Sequence, residues 1–296
     1  MARWSAGKIV GITFLCIFVL LLFSGGCYLA GLLSSTFGRT SYSLGDSIYE
    51  IRLEGVISAE KYSGLLMEET VTPEEIISQL DEAESNPDVK AILIRVNSPG
   101  GSAAASQEIY EELKKVEKPV VVSVSETCAS GAYYISAAAD SIIANRSSSV
   151  GSIGVIMQIP NFEGLFEQLG IEYVTIKQGE FKDVGSPDRP ITEEETRMLE
   201  AQLKEIYEQF ISDVADSRDM EISEVRELAT GWVYLGTEAL DLGLIDQIGN
   251  YKDAIEAAAE LGGIKGEPVV IKQEYSYSLM DLIFDYYLNL LVKKIF

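Results

Sequence analysis

No histidine occurs anywhere in the 296 residues of this chain. The imidazole, the usual proton shuttle of nucleophilic catalysis, is therefore absent, and most zinc chemistry goes with it. Cysteine is scarce, with three in all. Cys16 and Cys27 fall in one apolar stretch and would stand roughly 16 Å apart on a helix, too far for an intrachain bridge. Cys128 is then alone in the rest of the chain, so neither a disulfide framework nor a thiolate metal cluster can be assembled. Basic residues are outnumbered, 23 against 46 acidic, for a net charge of −23. A surface of that sign argues against nucleic acid and against electrostatic adhesion to anionic lipid. There is no internal repeat and no low-complexity tract.

What is present is a sequence 47% hydrophobic, enough for a full core in one large domain or two small ones. Residues 9–33 form an apolar segment interrupted only by "SGG", long enough against the ~20 residues that cross a bilayer. Arg3 and Lys8 precede it, so the positive-inside tendency places residues 1–8 in the cytoplasm and the bulk of the chain outside the cell membrane, as a single-pass protein. A cleaved signal peptide is the competing reading, but no clear small-x-small site follows, and Ser24 stands where a lipoprotein signal ending at Cys27 would carry a large aliphatic residue. Residues 34–46 read as a linker, 47–272 as the folded domain, and 273–296 as an apolar helical segment. In that last segment Asp281, Asp285, Asn289 and Lys293 recur every fourth position, a narrow polar stripe that an exposed helix would not show; burial in an assembly is the first reading and a helix laid on the membrane the second.

Within the folded domain, strand-like runs alternate with helical ones. Residues 47–55, 89–97, 119–125, 141–145, 154–157 and 172–177 read as strands. Helical patterns cover 73–85, 102–118, 192–217 and shorter stretches near 220–229 and 250–262. This spacing predicts βαβ units and a mostly parallel sheet in an α/β fold.

Three stretches bear chemistry. In "IRVNSPGGS" a hydrophobic strand ends in a stiff turn, where Gly100 and Gly101 could aim backbone N–H groups at one acceptor, as an oxyanion hole requires. The plainer reading is an ordinary loop with Ser102 as helix cap. In "SETCASGAYYIS" Ser130 sits between a strand and a helix, with the Gly131 N–H beside its hydroxyl; here the plainer reading is an N-cap serine. Without histidine, the base for such a serine falls to a lysine kept neutral by burial, several units below its reference pKa of about 10.4. Lys182, in "KQGEFKDVGSPDRP", is the candidate, with Lys177 as rival and more naturally a solvated cap. A hydroxyl in "SSSVGSIGVI", Ser152, could hold that lysine in place. Residues 145–147 also match a glycosylation sequon, a pattern common by chance.

The ordered set "NSPGGS", "ASGAYYIS", "GSIGV" and "GEFKDVGSPDRP" resembles the short-form signal peptide peptidase A family of membrane-anchored serine proteases, over roughly residues 47–260. The resemblance implies a Clp protease/crotonase-like fold of stacked ββα units behind an N-terminal transmembrane helix. It implies Ser130 as nucleophile, Lys182 as general base, Ser152 as the residue positioning the lysine, and Gly100 and Gly131 as oxyanion-hole donors. It further implies apolar peptide substrates such as remnant signal peptides, a homo-oligomer in an octameric ring, a dyad that can meet across a subunit boundary, and no metal or other cofactor. The C-terminal apolar helix is not accounted for by these motifs. A protease cutting specific membrane proteins, a crotonase-type acyl-CoA enzyme and an inactive membrane-tethered scaffold remain as other readings. A crotonase-type enzyme would need a carboxylate acid/base and a nucleotide pocket, and a scaffold would not need both Ser130 and Lys182.

Overall fold

A computed structural model describes residues 45–61 and 70–272. The expected anchor at 9–33 and the apolar segment at 273–296 lie outside the described residues. Among those described, no helix is long and apolar enough to cross a membrane.

Four β-branched, nearly unbroken runs build the centre of a mixed but mainly parallel sheet: β1 (Ser47–Ile57), β3 (Val89–Gly101), β4 (Val120–Ala129) and β5 (Ser141–Ala144). Short strands complete it: β2 (Thr70–Val71), β6 (Ser149–Gly151), β7 (Val233–Leu235), β8 (Gln247–Ile248) and β9 (Val269–Lys272). The main order is β2-β1-β3-β4-β5-β8, with β9 on β1, β6 on β4 and β7 on β6. Among the described strands only the β6–β7 pair is antiparallel. The β1–β3–β4–β5 register aligns Ile51 with Ile94, Ile94 with Val122, and Val122 with Ile142.

Register shifts between Glu54 and Val56 on β1, and between Val96 and Ser98 on β3, divide the sheet into two wings. Before the shifts β4 pairs with β5; beyond them its last residues, Thr127 to Ala129, pair with β6 instead. A bulge of this kind bends a strand and re-aims its end. The Pro-Gly-Gly run, expected as a turn, thus continues β3 as a strand against Ile57.

Alternation along the strands feeds two layers. Ile92, Ile94 and Val96 face the larger core, with α1 (Pro73–Ser85), α2 (Ala103–Leu113), α3 (Gly131–Ala137) and the end of α5 (Glu193–Ser217). Ala91 and Leu93 face the other side, where Ala254 and Ala258 of α8 (Tyr251–Leu261) pack against them. The remaining helices in chain order are α4 (Glu163–Leu169), which buries no residue, α6 (Ile222–Leu228) and α7 (Gly236–Asp241). Thr72 with Glu75, and Thr192 with Glu195, form reciprocal capping boxes that start α1 and α5.

Two expected strands are absent. Residues 154–157 and 172–177 are irregular, and Val174 and Ile176 are 81% and 94% exposed. The alternating apolar pattern is there, but a strand needs a partner edge, and among the described residues none lies beside it.

Candidate active site

Ser130 stands where β4 ends and α3 begins, at φ 53° and ψ −124°. Left-handed backbone of this kind costs a non-glycine residue about 1–3 kcal/mol. The surroundings hold it there. Its N–H donates to the Gly151 carbonyl at 2.8 Å, its carbonyl accepts from Tyr134 N–H at 3.0 Å, and every residue of α3 is buried. The hydroxyl makes no capping bond, so the simple N-cap reading does not hold. Ser102, by contrast, does cap α2, accepting from Ala105 N–H at 3.4 Å.

Two glycines allow the end of β3 to lie against this serine. A Cβ on Gly100, whose φ is +94°, would stand 2.7 Å from the Gly131 nitrogen and 2.8 Å from Ser130 Cβ; one on Gly131 would stand 2.2 Å from Ser106 Oγ. Gly100 was expected to donate to an oxyanion, but its N–H donates to Ser98 Oγ at 3.1 Å. The next N–H is placed differently. Because Ser102 N–H donates to the Ile57 carbonyl at 2.8 Å, the alternation of the parallel ladder leaves the Gly101 N–H directed away from β1. Its nitrogen lies 3.5 Å from where a Gly131 Cβ would be, so the Gly101 and Gly131 amides are neighbours.

Ser130 and Gly101 open into a cavity of about 1000 Å3 that Ser152 also lines. Ser152 too has positive φ, 52°; its N–H donates to the Trp232 carbonyl at 2.8 Å and its hydroxyl to the Gly231 carbonyl at 3.3 Å. The far wall is mixed: α5 contributes Leu203, Ile206 and Phe210 together with Glu200, Lys204 and Gln209, and Val155 and Ile156 lie beside it. Tyr134 ties the two walls together. Its ring stacks on Tyr110 at 4.7 Å and touches Phe210 at 4.8 Å, and its hydroxyl donates to the Asp213 carboxylate. Burial, then that carboxylate, pushes the Tyr134 hydroxyl far above its ordinary pKa, so it stays a donor. The α5 wall did not emerge from the motifs, although Leu203, Ile206 and Phe210 already fall at helical spacing on one face.

Lys182 is not among the residues lining this cavity. It lies exposed in a turn, its N–H donating to the Gly179 carbonyl at 3.4 Å, and among the described residues its ammonium has neither an ion-pair nor a hydrogen-bond partner. The rival, Lys177, is engaged: its ammonium donates to the Glu180 carbonyl at 2.7 Å and pairs with Asp183 at 2.5 Å. The single chain therefore brings together Ser130, Ser152, Gly101 and Gly131 and leaves Lys182 apart.

The family model for peptidase family S49 matches residues 112–265 of the chain. A protein of Methanocaldococcus jannaschii provisionally named a protease is 43% identical over 197 residues, 66% of this chain and 63% of the relative. An Enterococcus faecium protein provisionally named signal peptide peptidase SppA is 38% identical over 213 residues, 71% of this chain and 62% of the relative. Protease 4 of Haemophilus influenzae is 34% identical over 74% of this chain and 35% of its own length. The chain thus spans less than two thirds of the length of these relatives. Among solved structures, a mutant of the 1510-N membrane-bound stomatin-specific protease superposes with a TM-score of 0.52 over 78% of this chain and 99% of that one; at 16% identity the likeness is one of fold.

Proposed function

The chain belongs to peptidase family S49, and from that membership we propose that it is a membrane-anchored serine endopeptidase working through a serine–lysine pair. The observation that carries the reading is the Ser130 hydroxyl. It is held in a left-handed conformation that capping does not explain, it has no hydrogen-bond partner among the described residues, and it belongs to the lining of a large cavity.

In this reading Ser130 Oγ attacks the carbonyl carbon of a peptide bond while neutral Lys182 Nζ takes its proton. The carbonyl oxygen gains the negative charge and accepts from the Gly101 and Gly131 amides. The C–N bond then breaks, the lysine proton passes to the departing amine, and an ester on Ser130 remains. Water gives a proton to Lys182 as it attacks the ester, the C–O bond breaks, and the serine regains its proton. The Ser152 hydroxyl, at the same cavity, accepts from the lysine amine and orients it. No metal or organic cofactor takes part.

Lys182 reaches Ser130 from a second copy of the chain. In support, Lys182 is exposed and unpaired. The segment leading to it also carries Ile156, Leu169, Val174 and Ile176 at 83%, 62%, 81% and 94% exposure, an apolar run that a lone chain would not keep in water. A closed ring, octameric as in the short-form family, would cover this surface in every copy. The two-winged sheet supports the Clp protease/crotonase-like layout. The substrates are apolar peptides, remnant signal peptides among them, in keeping with Leu203, Ile206 and Phe210 in the cavity lining and the name of the Enterococcus faecium relative. Residues 9–33 anchor the chain in the cell membrane, with residues 1–8 cytoplasmic and the catalytic domain extracytoplasmic.

Complementation tests this. Full-length Ser130→Ala and Lys182→Ala are each expected to be inactive on a fluorogenic apolar peptide. Dissociated and reassembled together in equal amounts, they regain about a quarter of wild-type activity, the fraction of sites pairing an intact serine with an intact lysine. Activity in either variant alone would overturn the dyad; silent mixtures would overturn its formation across copies.

A further inference from the structure

The loop that carries Lys182 is held by a chain of charges in which Lys182 has no share. Asp183, the next residue, is gripped from two sides. Lys177 pairs with its Oδ1 at 2.5 Å, and Arg189 donates to Oδ1 at 3.1 Å, to Oδ2 at 3.2 Å and to the Asp183 carbonyl at 3.1 Å. The same guanidinium donates to both carboxylate oxygens of Glu195, at 2.5 and 2.9 Å. Glu195 in turn is fixed by the first turn of α5, where its carboxylate accepts from Thr192 N–H at 2.9 Å. Its side chain is 4% exposed. Arg189 thus ties Asp183, the residue after Lys182, to the helix that walls the Ser130 cavity.

We propose that Arg189 is a positioning residue for the general base, acting on Lys182 in two ways through Asp183. It fixes the turn from Gly179 to Pro190 against α5, and it cancels the one carboxylate adjacent in sequence to the base. The inference rests on Lys182 being that base. A lysine beside an uncompensated carboxylate stays protonated and cannot accept a proton; beside a carboxylate already held by two cations it feels little net field. The Glu180 carboxylate, two residues from Lys182, is exposed and has no hydrogen-bond or ion-pair partner among the described residues. Lys177 and Arg189 face Asp183, Glu195 faces Arg189, Asp188 accepts from the Ser186 hydroxyl, Glu180 contributes its carbonyl to Lys177, and Glu193 and Glu194 sit exposed on the first turn of α5. The hydrogen bonds from Arg189, then those from Lys177, hold the Asp183 carboxyl well below its ordinary range, in keeping with this geometry.

The test is the pH profile of peptide hydrolysis by the full-length protein. Arg189→Gln is expected to lower kcat about tenfold with KM within about twofold, since Arg189 does not touch substrate. It also moves the acid limb of kcat about one pH unit upward, because Asp183 now favours the protonated lysine. Arg189→Lys restores part of both effects. Asp183→Asn moves the limb the other way, toward lower pH, and the double variant Arg189→Gln with Asp183→Asn returns it to near the wild-type position while kcat stays low. Should Arg189→Gln fail to fold, Lys177→Met removes one of the two cations on Asp183 and is expected to shift the limb upward by a smaller amount. A loss of kcat with an unmoved acid limb in all these variants would reduce the cluster to scaffolding and overturn the proposal. An active Lys182→Ala would instead overturn the dyad beneath it, so the two failures are distinguishable.

Discussion

The Ser130 N–H donates to the Gly151 carbonyl at 2.8 Å, so the strained serine hangs from the strand whose next residue is Ser152. Two hydroxyls of one cavity, 22 positions apart in sequence, are therefore set by the β4–β6 ladder, which this bond continues by one residue. Each of the two serines has positive φ, 53° for Ser130 and 52° for Ser152. Stability has been given up locally to aim both side chains at the same space.

That strain is measurable without any substrate. Ser130→Ala keeps a Cβ at φ 53° and keeps the penalty; Ser130→Gly removes it. Both lack the hydroxyl and are expected to be inactive, but the glycine variant is expected to be more stable than the alanine variant by about 1 kcal/mol, after glycine's own entropy cost. Denaturant unfolding of the two proteins side by side decides it. Equal stability would mean that the conformation stores no strain.

Contact between α2 and α3 gives a second test. A methyl group at position 131 would stand 2.2 Å from Ser106 Oγ, at a contact between two buried residues. Gly131→Ala is expected to destabilise by about 2 kcal/mol through overpacking and to displace the adjacent N–H, with a loss of activity to match. Adding Ser106→Gly opens the space and is expected to return most of the stability. A Gly131→Ala protein as stable and active as wild type would show that this approach is not close in solution.

On the far face of the sheet, Glu50 is the junction between β1, β9 and α8. Its carboxylate, 1% exposed, accepts from the Tyr251 hydroxyl and pairs with Lys272 at 3.2 Å and Arg52 at 3.3 Å. Lys272 and Arg95 also lie over the Tyr251 ring at 5.1 and 5.3 Å. Burial alone would raise the Glu50 pKa, but the Tyr251 hydroxyl, Lys272 and Arg52 outweigh it and hold it low. Glu50→Gln is expected to cost about 2 kcal/mol, and to show first as faster amide exchange in β9, which nothing else among the described strands pairs.

The Arg189 cluster makes a prediction about acid. The hydrogen bond from Arg189 brings the Glu195 carboxyl down from its ordinary 4.5 to about 2. A depressed acid contributes stability that is fully present above its unfolded pKa and is lost as pH falls through the folded one. The anchorage of the 179–190 loop is therefore expected to be unchanged between pH 7 and 5 and to loosen between about pH 4.5 and 2. Limited proteolysis with an acid-active protease, read at that loop, follows it. Loosening already at pH 6 would point to a different group.

Much of the site was legible because its demands are local. Gly100 and Gly131 are needed wherever two backbones meet without room for a side chain, and Ser130 between a strand and a helix reads the same in sequence as in space. The sequence offers both Gly100 and Gly101 as donors, and which of the two amides turns away from β1 was not legible. It follows from which residue of β3 pairs with Ile57, and ladder register is a property of two strands. The run at 172–177 has the alternation of a strand, yet exposes Val174 and Ile176, because alternation describes one face of a strand and says nothing about whether an edge is waiting for it.

The absence of histidine, the strand–glycine–serine junctions and the capped helices at Thr72 and Thr192 were settled by composition and by neighbours within a few residues, where steric limits on single backbones act. Tertiary structure alone decided that α5 walls the serine cavity, that Arg189 joins Asp183 to Glu195, and that Lys182 does not line the Ser130 cavity within one chain. Those relations depend on how separate elements pack and on which charge finds which partner once they have packed, and no short stretch of residues carries that information.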